Sequence, residues 1–438
     1  MTADLVIHAS WVLPVDPQDS VLGDHAVVVA GGRIQALLPS AEARRRYPNA
    51  RELDLPEHLL MPGLVNAHTH TAMTLFRGLA DDLPLMTWLQ DHIWPAEQRW
   101  VSPEMILAGS RLAALEMLQS GTVCCNDMYY FPEVTAHAMA EAGMRAVVGL
   151  ILLDFPTVYA EGPDQFLRQG LALHDYYRGH PLIHTAFAPH APYTVSDASL
   201  TRVRTLADEL EVPIHIHLHE TTAEIDQSLR DHGARPLRRL QRLDLLGPNL
   251  MAVHMTQVEE EEIELLATTG TSVIHCPASQ LKLASGFSPV ARLREAGVNV
   301  ALGTDGAASN NQLDMLGEMR LAALLAKGVA GSAAALPAHQ ALRMATLDGA
   351  RALGLEEETG SLAVGKSADL VAIDLGQANT QPIHNPLSQL VYAANRSQVR
   401  HVWVAGRQLL RDGQPTTLDA REILDEARAW RARLAGGH

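Results

Sequence analysis

The sequence predicts an α/β protein, a TIM-like (β/α)8 barrel with a small β-sandwich domain built from both chain ends. Two observations support this fold class. Through the middle of the chain, short apolar runs of strand length alternate with longer helical stretches, which is typical of βαβ units and a parallel sheet. At both ends the pattern changes to short strands separated by turn residues.

The two chain ends have the pattern of short paired strands. Gly31-Gly32 lies between two apolar runs within residues 27–38, as a two-residue hairpin turn does. Residues 368–374 and 399–410 predict further strands, and Ala405-Gly406 predicts a turn inside the second stretch. We therefore expect residues 1–60 and 359–438, the latter including a terminal helix, to form one small domain beside a barrel of residues 61–358.

The middle of the chain contains eight strand candidates. One of the helices between them is marked by Ser102-Pro103 at its start and Gly121 at its end, an N-cap, a first-turn proline and a stop. Eight such units close a barrel, whose active site lies at the carboxyl ends of the strands. The predicted ends lie near His68, Asp127, Leu153, His190, His219, Met255, Pro277 and Thr304.

Composition and charge narrow the class of partner. The 438 residues carry 34 basic and 50 acidic side chains, a formal net charge of -16, which argues against nucleic acid or an anionic membrane and favours a small molecule. The three cysteines have no paired spacing, and no apolar run approaches the length of a membrane-spanning helix. We expect a cytoplasmic protein, and the sequence leaves formation of a homo-oligomer open.

Histidines recur at the predicted strand ends. His68 and His70 are two residues apart and project to the same face of an extended chain, where they can bind one metal. Alone, this pair is equally well explained as two polar residues. Residues 214–219 alternate aliphatic residues with histidines, which aims His215, His217 and His219 to one side. Burying so many imidazoles without partners is costly, so a ligand or a hydrogen-bond network is favoured.

Carboxylates join these histidines at the same rim. Glu220 follows the fifth strand and is placed to move a proton beside a metal site. The sixth strand ends at His254, and the eighth ends in a Gly-Thr-Asp-Gly segment that delivers Asp305. Imidazoles and one carboxylate suit zinc or another late divalent metal, with a position left for water.

Four motifs carry a family resemblance that covers nearly the whole chain. They are M-P-G-L-V-N-A-H-T-H at residues 61–70, H-L-H-E at 217–220, G-T-D-G-A-A-S-N-N at 303–311 and G-K-S-A-D at 365–369. On these residues the chain resembles the amidohydrolase superfamily. Residues 73–97 narrow the resemblance to members that deaminate adenine nucleosides. It implies hydrolytic deamination of 5′-methylthioadenosine and S-adenosylhomocysteine, and of adenosine as a further candidate, to the inosine-type product and ammonia.

The resemblance also implies a metal content. Barrels of this type that hold two metals bridge them with a carboxylated lysine from a middle strand. The three lysines, Lys282, Lys327 and Lys366, all lie outside the first six predicted strands, so a single zinc per subunit is expected. The implied ligands are His68, His70, His217 and Asp305.

Substrate and catalytic roles follow from the same resemblance. It implies that Glu97 binds the ribose hydroxyls and that His190 is a further substrate contact. Asp305 and the metal activate a water that attacks C6 of the adenine ring. Glu220 moves a proton to N1, and His254 hydrogen-bonds the attacking oxygen and the tetrahedral intermediate.

Several residues keep more than one interpretation. Trp88 either covers the purine or packs in the protein interior. Three arginines are candidates for the tail of the substrate, with surface salt bridges as the alternative: Arg77, Arg145 and Arg168. Three interior histidines are expected to be satisfied without a catalytic role: His215, His219 and His275.

Other functions remain as alternatives. Residues 360–367 match the phosphate-binding P-loop formally, but a helical stretch precedes them and a strand follows, so we reject nucleotide-phosphate binding there. The same zinc chemistry could act on another aminopurine or a triazine ring, and Glu97 discriminates between these substrates. A non-catalytic assembly protein that kept the barrel is a third hypothesis, which the complete ligand set and Glu220 oppose.

Overall fold

The computed structural model describes residues 3–16 and 20–436, which form two eight-stranded sheets. The N-terminal strands are β1 Leu5–Val12, β2 Leu22–Ala30, β3 Arg33–Pro39 and β4 Arg51–Pro62. The barrel strands are β5 Leu64–Thr69, β6 Thr122–Asp127, β7 Arg145–Leu152, β8 Ile183–Pro189, β9 Ile214–Leu218, β10 Leu250–His254, β11 Ser272–His275 and β12 Val300–Leu302. The C-terminal strands are β13 Leu370–Asp374, β14 Val399–Val404, β15 Arg407–Arg411 and β16 Gln414–Pro415.

Helices follow most of the barrel strands and cover them. A π-helical turn, Leu89–Ile93, joins the second and third helices, and short 3-10 turns occupy Thr71–Phe76 and Arg396–Gln398. The helices are α1 Ser40–Arg46, α2 Leu85–Trp88, α3 Trp94–Trp100, α4 Pro103–Gln119, α5 Pro132–Ala142, α6 Pro163–Tyr177, α7 Asp197–Leu210, α8 Thr222–His232, α9 Pro236–Arg242, α10 Glu260–Thr269, α11 Pro277–Lys282, α12 Val290–Glu295, α13 Met315–Ala330, α14 Ala338–Met344, α15 Leu347–Ala352, α16 Pro386–Tyr392 and α17 Ala420–Ala435.

The strands β5 to β12 form the predicted parallel barrel. They lie in sequence order, and each pairs in parallel with the next. The Asp305 amide, just beyond β12, donates to the His68 carbonyl of β5 at 3.0 Å and joins the two ends of the sheet. Each strand ends within two residues of its predicted end. The expected fold class is therefore confirmed.

The small domain is one mixed sheet made from both chain ends. Its strand order is β16-β15-β14-β13-β4-β1-β2-β3, and the antiparallel pair of β4 with β13 joins the two halves. Both predicted hairpin turns are present, with positive φ at Gly31-Gly32 and at Ala405-Gly406. The domain boundaries at residues 60 and 358 stay predictions.

Local sequence signals explain individual elements. Ser102 caps α4 by accepting a hydrogen bond from the Met105 amide, Pro103 opens the helix, and Gly121 follows it with a φ of 87°. Buried aliphatic side chains fill the barrel and the layer of helices around it. Across residues 3–16 and 20–436, no helix is both long and apolar enough to span a membrane.

Candidate metal centre and active site

Polar side chains converge at the carboxyl ends of β5, β9 and β10 and in the loop after β12. His68 and His217 lie within strands β5 and β9, and His254 ends β10. The loop after β12 passes so close to β5 that a Cβ atom at Gly303 would lie 2.8 Å from the His68 backbone nitrogen. Glycine at this position therefore lets the loop carry Asp305 against the histidines.

Two groups of potential ligands share His68. The first contains His68, His70 and Asp305, and the second contains His68, His217 and His254, with the ligand atoms of each group within 4.8 Å of one another. The Asp305 Oδ1 atom lies 3.3 Å from His68 Nε2 and 3.2 Å from His70 Nε2. The Nε2 atoms of His68 and His217 are also 3.3 Å apart. Ligands about 2.0 to 2.1 Å from a tetrahedral metal have this separation.

The other ring nitrogen of each histidine is already engaged. His70 Nδ1 lies 2.5 Å from the Met128 carbonyl, and His217 Nδ1 lies 2.8 Å from the His190 carbonyl. A carbonyl can only accept, so both Nδ1 atoms carry the proton and both Nε2 atoms are free to bind a metal. The donor set and its orientation fit a late divalent metal.

Asp305 is held in place from both sides. Its Oδ2 accepts hydrogen bonds from Ser279 Oγ at 2.5 Å and Ser309 Oγ at 3.0 Å, and its Oδ1 accepts one from the Gly306 amide. Burial opposes its ionisation, but the neighbouring side chains of His68 and His70 hold the pKa of Asp305 well below its usual value. The Asp305 side chain is therefore an ionised carboxylate that faces the two imidazoles.

Burial keeps most of the neighbouring imidazoles neutral. Desolvation lowers the pKa of His217 well below its usual value, and neighbouring histidines lower it further. It lowers the pKa of His254 to about 3, although the charge of Asp305 opposes the shift. Neutral imidazole is the form that binds metals, so burial prepares these rings as ligands.

Glu220 lies beside His254 at the rim. Its Oε2 atom is 3.7 Å from His254 Nε2, and burial together with the charges of Asp305 and Glu224 raises the pKa of Glu220 well above its usual value. Glu224 accepts hydrogen bonds from the backbone amides of Glu220 and His219 at 2.7 and 2.9 Å, which fixes this turn of the chain. Burial and the two neighbouring carboxylates thus favour the protonated form of Glu220.

The structure places Glu97 on α3, in a largely buried position. Tyr129 donates a hydrogen bond to its Oε1 atom at 2.7 Å, and the Tyr129 ring lies 6.2 Å from the His70 ring. Burial raises the pKa of Glu97 to about 7, against the Tyr129 hydrogen bond and the charge of His70. Glu97 therefore lies near the ligand group without contacting it directly.

His190 lies beside His217 in the same cluster. Its ring centroid is 5.0 Å from that of His217, and its Nδ1 pairs with Thr194 Oγ1 at 3.1 Å. Burial lowers the pKa of His190 to about 3, so the ring is neutral. The structure thus brings His190 to the rim next to a candidate ligand.

The candidate arginines are engaged elsewhere. Arg77 pairs with Glu116, Arg145 forms a fully buried ion pair with Asp369, and Arg168 is exposed on α6. The surface salt bridge expected as the alternative for Arg145 is wrong, because β7 begins beneath the small sheet and buries the guanidinium. Trp88 is buried in an apolar cluster and donates to the Ala80 carbonyl at 3.2 Å.

The expected interior histidines differ from one another. His219 is satisfied, because its Nδ1 pairs with the Gln257 carbonyl and its Nε2 accepts from the Leu237 amide. His215 instead contacts His68 directly, and its own Nδ1 has no hydrogen-bond partner among the described residues. His275 also has a buried Nδ1 without a partner in the described part of the chain.

The sequence did not predict the residues whose hydrogen bonds fix Asp305 and Glu97 in place. Ser279 reaches Asp305 from α11, and Tyr129 reaches Glu97 from the loop after β6. The position of Tyr129 could have marked it as a candidate site residue, since it lies two residues beyond the end of a barrel strand. Ser279 had none, because the contact depends on how α11 packs over the eighth strand.

Comparison with known families and curated proteins gives full-length matches. The model of the amidohydrolase family matches residues 59–409. A 5-methylthioadenosine/S-adenosylhomocysteine deaminase of Teredinibacter turnerae is 52% identical over 99% of this chain and 98% of its own length. The protein of the same name from Saccharophagus degradans is 50% identical over 99% of this chain and 97% of its own.

Solved structures also match this chain over nearly its full length. An adenosine deaminase from Xanthomonas campestris with bound zinc is 53% identical, with a TM-score of 0.98 and coverage of 99% of both chains. Atrazine chlorohydrolase TrzN from Arthrobacter aurescens, with zinc, has a TM-score of 0.91 at 24% identity over 98% of this chain and 100% of its own. At that identity the second match shows a shared fold only.

Proposed function

Because this chain belongs to the amidohydrolase family, we propose that it hydrolytically deaminates the adenine ring of 5′-methylthioadenosine and S-adenosylhomocysteine, with adenosine as a further substrate. The products are the inosine-type nucleoside and ammonia. Two relatives named as 5-methylthioadenosine/S-adenosylhomocysteine deaminases are 50% identical or more to this chain over nearly their whole length. This similarity supports the proposed substrate class. The observation that carries the proposal is the buried carboxyl group of Glu220, 3.7 Å from His254, beside a group of histidines and Asp305 that could hold a metal.

We propose that one zinc ion is the resident metal. Its ligands would be His68, His70, His217 and Asp305, whose free atoms face one another. When bound, zinc supplies a Lewis acid that makes water easier to deprotonate at neutral pH. No lysine lies on the barrel strands to bridge a second metal, since Lys282 and Lys327 lie on helices and Lys366 in a turn.

The side chains around the ligands then move the protons. Asp305 accepts a proton from the attacking water as its oxygen bonds to C6 of the ring, and Glu220 donates a proton to N1. His254 can donate from Nε2 to the oxygen that has joined C6, which stabilises the tetrahedral carbon. The bond from C6 to the amino nitrogen breaks as that nitrogen takes a proton from Asp305, and ammonia leaves. The oxygen on C6 then gives its remaining proton back to Glu220 as the carbonyl forms, which restores the acid.

Glu97 and His190 give the site its proposed preference for nucleosides. A buried carboxylate held by Tyr129 can accept hydrogen bonds from two vicinal hydroxyls, which a ribose has and a triazine lacks. His190 presents a neutral ring on the other side of His217. Glu97 and His190 together favour a nucleoside over another aminopurine or a triazine as the substrate.

An ammonia-release assay tests the proposal. Zinc-loaded protein should deaminate 5′-methylthioadenosine, S-adenosylhomocysteine and adenosine, and chelation should abolish the activity until zinc is restored. Glu220→Gln should lower kcat by about 10² to 10⁴, the usual contribution of a positioned acid. Glu209→Gln, an exposed change on α7, is the matched control.

Three results would contradict the proposal. Turnover of Glu220→Gln at the rate of the control would remove Glu220 from the reaction. A triazine or free base turned over better than every nucleoside, with no effect of Glu97→Ala on nucleosides, would favour the alternative substrates. Absence of ammonia release from any purine, with no zinc bound, would favour a non-catalytic protein.

A further inference from the structure

His215 stands directly behind the shared ligand His68. Its Nε2 atom lies 2.9 Å from His68 Nδ1, and the two rings meet edge to face with centroids 4.8 Å apart. Neither side chain is exposed to solvent. Both come from barrel strands, β9 and β5, so the contact is built between two rigid elements.

We propose that His215 is a positioning residue, which accepts the Nδ1 proton of His68 and so keeps the Nε2 atom of His68 free for the metal. The inference rests on the proposed metal site and goes beyond it, because it assigns a role to a side chain outside the ligand set. Metal-binding histidines commonly donate their second N–H group to a fixed acceptor, which sets the ring's tautomer and orientation.

Comparison of the three histidine ligands explains why His68 needs this partner. The Nδ1 atoms of His70 and His217 face backbone carbonyls, which fix the proton on Nδ1 without any side chain. His68 Nδ1 faces a ring that can either donate or accept. In the opposite arrangement His68 would carry its proton on Nε2, directed at Asp305 and away from metal binding.

The unpaired nitrogen of His215 indicates that packing alone does not explain this side chain. If His215 Nε2 accepts from His68, the proton of His215 lies on Nδ1, which is buried and has no partner among the described residues. An unpaired buried N–H group destabilises a protein, and an aliphatic side chain here would avoid that cost. A histidine in such a position is better explained by the contact that its Nε2 makes than by packing.

The test compares zinc affinity between two variants that differ in the acceptor. His215→Gln keeps an oxygen that can accept from His68, whereas His215→Leu removes the acceptor. We expect His215→Leu to weaken zinc binding about 10- to 100-fold in competition with a chelator, the usual effect of losing such a partner. His215→Gln should remain within a few fold of the parent, and metal-free His215→Leu should melt no lower than the parent.

His275→Leu is the matched control, a buried barrel histidine whose Nδ1 also has no partner in the described chain. Equal zinc affinity in the parent and His215→Leu would overturn the inference. So would equal losses in His215→Leu and His275→Leu, or in the Leu and Gln variants of His215. If His215→Leu does not fold, ¹⁵N shifts of the histidines in the zinc-loaded parent decide: a proton on His68 Nδ1 supports the inference, and its absence overturns it. Failure of the parent to bind zinc would instead contradict the proposed function.

Discussion

Glu97 is a carboxyl group whose charge changes near neutral pH. Burial raises its pKa to about 7, while the hydrogen bond from Tyr129 and the charge of His70 act in the opposite direction. In the proposed site, the ionised form of Glu97 would accept hydrogen bonds from both ribose hydroxyls, whereas the protonated form would lack the charge that strengthens them. Recognition of a ribose should therefore weaken as the pH falls through about 7.

Steady-state kinetics test this expectation. The ionised fraction of Glu97 falls about tenfold between pH 8 and pH 6, so KM for adenosine should rise by up to that factor. KM for 2′,3′-dideoxyadenosine, which lacks both hydroxyls, should be nearly constant over the same range. Equal pH profiles for the two nucleosides would contradict the role of Glu97.

Substitution of Tyr129 tests how its hydrogen bond affects the ionisation of Glu97. Tyr129→Phe removes the hydrogen bond that favours the ionised form of Glu97, so the midpoint of the KM profile should move to higher pH. Tyr130→Phe is the matched control, because Tyr130 makes no hydrogen bond to Glu97. A shift of the same size in both variants would indicate a general packing effect.

The sequence predicted most of the imidazole and carboxyl groups of the candidate site. His68, His70, His217, His254 and Asp305 stand at strand ends, and the closure of a barrel brings strand ends together. Contacts between side chains could not be predicted in the same way. Whether a ring such as His215 faces a ligand or a helix depends on rotamers and strand register, which the order of residues does not give.

The segment between β5 and α4, residues 71–101, carries Glu97 towards the site and is tied down by one lysine. Lys282, at the end of α11, contacts both Asp81 of this segment and Asn311 of the loop after β12, and it lies 3.3 Å from the Ala308 carbonyl. One ammonium group thus holds together the segment that carries Glu97 and the loop that carries Asp305.

Replacement of Lys282 should loosen that segment. Lys282→Met removes the charge while keeping most of the side-chain length, so amide hydrogens of residues 78–83 should exchange faster and KM should rise several-fold. Lys327→Met is the matched control, because Lys327 binds carbonyls of Ala335 and Leu336 at the far end of α13. Unchanged exchange in Lys282→Met would show that the segment is held by its apolar contacts alone.

For helices and strands, the predicted and observed elements agree where the apolar residues follow a regular period. The barrel strands are short apolar runs and end as predicted, and α4 has a cap, a first-turn proline and a closing glycine. Residues 85–100 form helical turns interrupted by a π-helical turn at Leu89–Ile93. Trp88 and Ile93 at this interruption are both buried in one apolar cluster, a tertiary contact that no local pattern predicts.

The two sheets are joined by a buried ion pair. Arg145, at the start of β7, donates from Nε to Asp369 Oδ2 at 2.9 Å and binds the Pro181 carbonyl and Ser367 Oγ. Asp369 also accepts from the Ala405 amide in the turn between β14 and β15. Neither charged side chain reaches solvent. The pair therefore connects the base of the barrel to the small sheet.

Breaking this pair should cost far more than breaking a surface pair. Arg145→Met should lower the free energy of unfolding by about 3 to 5 kcal/mol, because it leaves Asp369 buried without its partner. Adding Asp369→Asn should cost less than the sum of the single changes, which a double-mutant cycle in urea can measure. Arg202→Met, in the exposed pair with Asp164, is the control and should cost under about 1 kcal/mol.

Additive losses in that cycle would contradict a direct coupling between Arg145 and Asp369. At this scale the sequence predicted both domains but not their junction. The two residues are far apart in the chain, and each alone resembles an ordinary surface charge. Only the contact between the start of β7 and the small sheet shows why both side chains are buried.

The pairing of β4 with β13 also fixes an order of events during synthesis. Residues 58–62 of β4 pair with residues 370–374 of β13. The edge of β4 that pairs with β13 is therefore synthesised long before β13. At about 5 to 20 residues per second the delay is roughly 15 to 60 s, during which an apolar edge can pair with other nascent chains. The other end of β4 carries Arg51, Glu52 and Asp54, whose charges oppose such pairing. Yield in cells should therefore depend on translation speed and on chaperones that bind this edge.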